Sequence, residues 1–195
     1  MTLIKGSYVR FGNYPQKANG ERAPIEWLVL DSGFREALLI SRYALDYKRY
    51  YNYYAPVTWE DCDLRKWLNT DFLQEAFSAS ETEMISYSNL MNDCNPKFGT
   101  FGGLFTRDRV FCLSYEEAGH FFSSDRARQC RATDYALTHT DYFNLRDSCI
   151  WWLRTPGGNS RCVSVVGLDG TMDLYGDVAR NLAFSAVRPA LRITL

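Results

Sequence analysis

Three features of the sequence predict a single α+β domain over residues 1–195. The apolar segments 25–31 and 36–41 flank a short turn that contains glycine, which is typical of a β-hairpin. Helical patterns occupy the middle of the chain, and strand-like segments follow one another from Cys149 onward. No internal repeat or low-complexity linker divides the chain, so one α+β domain accounts for the whole pattern.

The first predicted helix begins at Thr58. Its hydroxyl is placed to cap free backbone amides, and Asp61 lies three residues further on, where a carboxylate favours a helix start. Leu64, Trp67, Leu68 and Phe72 follow at helical spacing and predict the buried face of this helix.

Two further segments carry helix signals. Ser114 and Glu117 have the spacing of a capping box and predict a helix that runs to Phe122. A shorter helix is predicted to begin at residues 80–83 and to run toward Leu90. Residues 92–105, rich in glycine, asparagine and proline, predict a loop.

A second loop is predicted at residues 47–54, where five of the eight residues are tyrosine. Tyrosines clustered in this way form a contact surface or pack a long loop onto its domain. The sequence slightly favours packing onto the domain.

The formal net charge of −1 argues against a nucleic-acid partner, because affinity for phosphates needs a concentrated positive patch. The first residues lack the apolar core of a signal peptide, and no apolar run is long enough to span a membrane. The sequence therefore predicts a chain that is cytoplasmic at synthesis and has no membrane insertion. Association with a cell surface or a phage particle remains compatible with this prediction.

Catalytic signals are sparse. The sequence contains no nucleophile elbow, phosphate-binding loop or dinucleotide-binding glycine motif. Its two histidines, His120 and His139, are isolated and do not have the spacing of a zinc site. Six cysteines are scattered without a CxxC pair, which predicts free and mostly buried thiols.

No cofactor or metal is predicted. The one alternative is calcium at Asp169, Asp173 and Asp177, which are spaced four residues apart. An EF-hand requires ligands at alternate positions and a closing glutamate, and this segment has neither.

Several segments taken together resemble a bacterial family of uncharacterised domains related to the C-type lectin fold, in its formylglycine-generating-enzyme branch. The segments that carry the resemblance are RFGNYPQ, PIEWLVLD, ALLISRYALD, TWEDCDLRKWLN, FCLSYEEA, WWLRTPGG, VGLDGTMDLYG and VRPALRI. The resemblance implies a small antiparallel sheet, two main helices and adjacent N- and C-terminal strands. It also implies that residues 159–186 form an irregular display segment, anchored by a strand at 187–191.

The same fold includes target proteins of diversity-generating retroelements, whose C-terminal variable region is mutated at adenines. Mutation of an asparagine codon at its adenines cannot produce Lys, Glu, Gln, Trp or Met. Residues 161–186 contain no Lys, Glu, Gln or Trp, and Met172 is then a fixed position. On this basis the sequence predicts a non-enzymatic domain with a variable C-terminal surface that binds a protein or a glycan.

The predicted ligand-binding residues are those expected to alternate with scaffold positions along this segment, together with one tryptophan of the preceding strand. They are Trp152, Arg161, Ser164, Leu168, Asp173, Tyr175, Asp177, Arg180, Asn181, Ala183, Phe184 and Ser185. Leu168 and Phe184 are equally compatible with the core.

Two alternatives remain. An enzyme of the formylglycine-generating type would use an exposed cysteine, Cys149 or Cys162, although these two do not match the spacing of that branch's reactive pair. The second alternative is an accessory module of a larger surface or phage structure. The sequence makes no prediction of the oligomeric state.

Overall fold

A computed structural model describes residues 3–140, 147–181 and 185–195. The strands are β1 (Tyr8–Pro15), β2 (Arg22–Ser32), β3 (Glu36–Ser41), β4 (Asp46–Tyr47), β5 (Ile85–Ser86), β6 (Ser88–Leu90), β7 (Thr106–Asp108), β8 (Val110–Phe111), β9 (Ile150–Pro156), β10 (Cys162–Val166), β11 (Met172–Val178), β12 (Ser185–Val187) and β13 (Ala190–Thr194). The helices are α1 (Asp63–Asn69), α2 (Asp71–Ala76), α3 (Ala79–Met84), α4 (Tyr115–Phe121), α5 (Asp125–Arg128) and α6 (Asp134–Leu137).

The strands form two main sheets and one isolated hairpin. The first sheet has the order β1-β2-β3-β13-β5, and β8 also pairs with β13. The second has the order β11-β10-β9-β12-β4, whereas β6 and β7 pair only with each other. The parallel pair β12–β9 is the exception among otherwise antiparallel pairs. The predicted α+β class and antiparallel pairing are therefore confirmed.

The predicted adjacency of the N- and C-terminal strands is wrong. Strands β1 and β13 share a sheet, but β2 and β3 lie between them. The β2–β3 hairpin, which was predicted, supplies the edge to which β13 pairs, with Leu191 opposite Leu39. The other edge of β13 is occupied by β5 and β8, so no edge is left for β1.

Helix α1 begins later than predicted. Residues 59–61 form a turn in which the Asp61 amide donates to the Thr58 carbonyl oxygen at 3.3 Å. The cap of the helix is Cys62, whose thiol accepts from the Arg65 amide at 3.3 Å. A buried cysteine thus takes the position that the sequence assigns to a threonine. Leu64, Leu68 and Phe72 are buried as predicted, whereas Trp67 is only half-buried against the core.

Helix α3 is shorter than predicted and does not reach Leu90. It ends at Met84 because Ile85 and Ser86 pair with β13 in the first sheet. Helix α4 confirms the predicted capping box, since both reciprocal hydrogen bonds between Ser114 and Glu117 are present. Helices α1 and α4, the two main predicted helices, each span seven residues.

Candidate ligand-binding surface

The predicted display segment divides into exposed and buried positions. Five of the predicted ligand-binding residues are exposed: Arg161, Leu168, Asp173, Tyr175 and Arg180. Two are half-buried, Asp177 and Asn181. Ala183 and Phe184 lie outside the described residues.

The predicted exposure of Trp152, Ser164 and Ser185 is wrong, because all three side chains are fully buried. Trp152 packs against Tyr50 and donates its indole N–H to the Lys48 carbonyl oxygen at 2.9 Å. The Ser164 hydroxyl donates to a backbone carbonyl at 2.8 Å. Strands β9, β10 and β12 are covered on both faces, so alternation along them does not mark solvent-facing positions.

The exposed residues of the segment lie at opposite ends of the β10–β11 hairpin. Leu168 is in the turn between the strands, where its carbonyl oxygen accepts from the Ser148 hydroxyl at 2.5 Å. Arg161 lies at the other end, and its carbonyl oxygen accepts from the Ala179 amide beside Arg180. The predicted residues therefore do not form one patch by themselves.

Tyr175 projects from an irregular part of β11. Between Val163 and Val165 the register of β10 and β11 shifts, and β11 bulges there. Gly176 has a φ of 73°, and a Cβ atom at this position would lie 1.9 Å from the Val163 carbonyl oxygen. Only glycine fits this close approach, and the bulge directs the adjacent Tyr175 ring across Gly158.

The loop 91–105, which joins β6 to β7, extends the exposed surface around Tyr175. Asn95 fixes this loop: its side-chain amide donates to the carbonyl oxygens of Pro156 and Leu174, both at 2.8 Å. The Phe98 ring meets the Tyr175 ring edge-on, with 5.9 Å between centroids. The buried asparagine thus places a loop aromatic beside a residue of the predicted segment.

A second loop, 51–58, borders the same surface. Its Val57 amide donates to the Ser160 carbonyl oxygen at 2.9 Å, and the Arg161 guanidinium lies 4.9 Å from the centre of the Tyr54 ring. The loop 91–105 reaches this region too, since the Leu104 amide donates to a Glu60 carboxylate oxygen at 3.2 Å.

We call the resulting set of side chains the aromatic surface. Its large apolar members are 42–68 % exposed, although side chains of this type are usually buried. By element, the aromatic surface comprises Tyr53 and Tyr54 of the loop 51–58, Phe98, Phe101, Leu104 and Phe105 of the loop 91–105, Tyr175 of β11 and the flanking Arg161. The contacts that join these elements are Phe98–Tyr175 and Arg161–Tyr54.

Only two members of this surface, Arg161 and Tyr175, are among the predicted ligand-binding residues. The prediction of a loop at 92–105 assigns no contact role to its apolar side chains. The signal in that loop is KFGTFGGLF, in which four large apolar residues stand among glycines, without the periodicity that would bury them. In the tyrosine-rich loop, Tyr47 and Tyr50 pack into the core as favoured, whereas Tyr53 and Tyr54 reach solvent.

Two ion pairs, each with one buried partner, hold the base of the loop 91–105. Asp108, at the end of β7, pairs with the Arg65 guanidinium at 2.7 Å and accepts from the Trp59 indole at 2.9 Å. Arg154 of β9 pairs with Glu117 and also donates to the Met91 carbonyl oxygen at 3.3 Å. These contacts tie the loop to α1, α4 and β9.

Neither of the two cysteines that the enzymatic alternative would use is placed as an exposed thiolate, whereas Cys94, in the loop 91–105, is the exposed cysteine. Cys149 and Cys162 are buried, which contradicts the exposure that the enzymatic alternative requires. A hydrogen bond with Cys130, together with burial, raises the pKa of Cys149, and burial raises the pKa of Cys162. Burial opposes ionisation of Cys130, but its hydrogen bond with Cys149 and the charge of Arg188 lower its pKa to about 7.

The carboxylates proposed for calcium do not converge on a site. Asp169 accepts from Thr171, Asp173 from the Tyr175 amide, and Asp177 from the Val178 amide. Over residues 3–140, 147–181 and 185–195, no three His, Cys, Asp or Glu side chains are grouped to hold a metal ion. The described geometry therefore gives no support to a calcium site at these three residues.

His139 takes part in a network around the buried Asp46, and the members of this network lie far apart in the sequence. Its Nδ1 lies 2.6 Å from an oxygen of Asp46, a carboxylate that also accepts from the Tyr14 hydroxyl at 3.1 Å and pairs with Lys48 at 3.3 Å. The network connects β1, β4 and the segment after α6. Asp46 therefore acts as a structural anchor for several elements at once.

The fold and surface define a mixed α+β domain that presents exposed aromatic side chains on two loops and a bulged strand. Residues 35–195 match the family described as a domain of unknown function (DUF6273), and the chain belongs to that family. No curated protein and no solved structure matches this chain. Within the described part of the chain, no helix is long and apolar enough to cross a membrane.

Proposed function

We propose that the chain is a non-enzymatic ligand-binding domain whose aromatic surface contacts a protein or a glycan. The exposure of the aromatic surface carries this proposal. Exposed apolar side chains grouped in one region are typical of interaction sites, and aromatic residues with arginine dominate the energetics of such sites. Aromatic rings also stack on the apolar faces of sugars, so both ligand classes suit this chemistry.

The attachment of the loops supports binding by a preformed surface. Phe98 and Tyr175 are held by the Asn95 hydrogen bonds and by the Gly176 bulge, so little conformational entropy is lost when they bind. Arg161, beside Tyr54, supplies hydrogen-bond donors at the rim.

The proposal extends to a C-type-lectin-like fold and to diversification of residues 159–186 by a retroelement. The segment resemblance and the absence of Lys, Glu, Gln and Trp from 161–186 support it. The burial pattern adds a physical reason, because substitutions at Arg161, Tyr175 and Arg180 leave the buried positions of β10 and β12 intact.

A triple variant, Phe98→Ser, Phe101→Ser and Tyr175→Ser, tests the binding surface. We expect its binding to a glycan array, or to a partner protein captured by the wild type, to weaken at least about tenfold, because the variant removes the rings that bury apolar area. The matched control is Phe34→Ser, an exposed aromatic in the β2–β3 turn, which should bind like the wild type.

Circular dichroism and thermal unfolding establish that each variant is folded. Equal binding by the triple variant and the wild type would contradict the proposed surface. A similar loss of binding in the Phe34→Ser control would also contradict the proposed surface.

A further inference from the structure

A second site lies at the base of the β6–β7 hairpin, at the opposite end of these two short strands from the loop 91–105. It is a cleft of about 370 Å³ between α1 and the hairpin. The cleft is lined by four cationic side chains and one carboxylate: Arg65, Lys66, Arg107, Arg109 and Asp108. Its charge is therefore strongly positive although the whole chain has a net charge of −1.

The single carboxylate is already fully engaged. Asp108 is 1 % exposed and pairs with Arg65, and it also accepts from Trp59 and from the Thr106 hydroxyl, each at 2.9 Å. Lys66 approaches Asp63 only at 3.8 Å, in an exposed pair that contributes little. Asp108 therefore neutralises Arg65 and leaves the other cations of the cleft without a close counter-charge.

Arg107 and Arg109 make no ion pair with any described residue. The Nε atom of Arg109 is buried and has no hydrogen-bond partner within the described part of the chain. A buried donor without an acceptor costs free energy that a bound ligand can recover.

The hairpin register places both guanidinium groups on one face. Ser88 pairs with Asp108 and faces the core, so alternation along the strands puts Tyr87, Arg107 and Arg109 on the outer face. The guanidinium carbons of Arg107 and Arg109 lie 4.3 and 4.6 Å from the centre of the Tyr87 ring. These contacts hold both guanidinium groups beside one aromatic ring, and a guanidinium in such a contact can still donate through its N–H groups.

Asn69 fixes the other wall of the cleft. Its side-chain oxygen accepts from the amides of Arg109 and Val110, and its amide donates to the carbonyl oxygens of Arg65 and Val110. The hairpin and α1 are thereby held at a constant separation, so the cleft is preformed.

We propose that this cleft binds a tetrahedral oxyanion, a phosphate or sulfate group, between Arg107, Arg109 and Lys66. Two oriented guanidinium groups match such an anion through paired charge-assisted hydrogen bonds, and an ammonium adds a point charge. The site does not depend on the aromatic surface, and its volume also accommodates part of the molecule that carries the group.

Calorimetric titration with sodium phosphate and with sodium sulfate, at constant ionic strength maintained by sodium chloride, tests the proposal. We expect saturable binding of at least one anion with a Kd of about 1 mM or below, and a higher Tm in that anion than in chloride. The double variant Arg107→Gln/Arg109→Gln should weaken binding at least about tenfold. Arg109→Lys keeps the positive charge but removes the paired N–H donors of the guanidinium, so it should weaken binding by an intermediate factor.

The matched control is Arg126→Gln, an exposed arginine on α5, which should bind the anion like the wild type. Absence of saturable binding of both anions overturns the proposal, and so does unchanged binding by the double variant. A heparin-derived sulfated disaccharide provides a third arm. If the protein binds both the disaccharide and an inorganic anion, an anionic glycan is identified as a source of the group. If it binds the disaccharide but neither inorganic anion, the oxyanion site is overturned.

The aromatic triple variant separates this proposal from the proposed function. It should retain full binding of the inorganic anion because its substitutions lie outside the cleft. A failure of the aromatic surface to bind any ligand therefore leaves the oxyanion result interpretable.

Discussion

Replacing Arg154 by leucine should lower the free energy of unfolding by about 3–5 kcal/mol, because it leaves the carboxylate of Glu117 without its buried partner. Arg154 is 4 % exposed and donates to both oxygens of Glu117, and it also donates to the carbonyl oxygens of Cys112 and Met91. Urea denaturation followed by fluorescence measures the loss. Four acceptors lose a charged donor at once, although one Glu117 oxygen still accepts from the Ser114 amide, so the effect exceeds that of an ordinary surface substitution.

The control for this variant is Arg161→Leu, which removes an exposed guanidinium and should change stability by no more than about 0.5 kcal/mol. A second variant, Arg154→Leu combined with Glu117→Gln, removes the uncompensated charge and should lose less than the sum of the single changes. An Arg154→Leu effect as small as the control's would show that the Arg154–Glu117 pair does not hold α4 to β9.

Replacing Asp108 by alanine should cost a similar amount, about 3–5 kcal/mol, because the partly buried Arg65 guanidinium and two neutral donors lose their buried acceptor. The donors are Arg65, Trp59 and Thr106, which come from α1, the turn before it and β7 itself. Urea denaturation measures the global loss, and hydrogen exchange should show the amides of β6 and β7 opening earlier than the rest.

Asp93→Ala is the matched control, since Asp93 is an exposed aspartate in the loop that the same hairpin carries. It should leave both stability and exchange rates close to those of the wild type. Equal exchange of β6 and β7 amides in Asp108→Ala and in the wild type would contradict the anchoring role of Asp108.

The parts of the fold that depend on local interactions could be predicted from the sequence. The β2–β3 hairpin and the Ser114–Glu117 capping box follow from residues close together in the chain, and both are present. The start of α1 could not be predicted, because the choice of Cys62 over Thr58 as the cap depends on packing of a buried thiol. Likewise, Ile85 leaves its helix to pair with β13, a partner more than 100 residues away.

Only those residues of the candidate site whose exposure follows from the local sequence could be predicted. Arg161 and Tyr175 stand in a hairpin of irregular register and are exposed. Trp152 and Ser164 lie on strands that other elements cover on both faces. The residue pattern of a single strand does not show whether its second face is covered. For the loop 91–105, the decisive contact is that of Asn95 with two distant strands, which composition does not reveal.

Sequencing of codons 150–195 from a natural population tests most directly the proposal that the C-terminal segment supplies a variable part of a binding surface. We expect substitutions at adenine-derived positions among exposed residues such as Arg161, Tyr175 and Arg180. The proposal predicts constant codons at the buried Ser164 and at residues 187–191. Uniform codons throughout 159–186, or variation spread equally over buried and exposed positions, would contradict it.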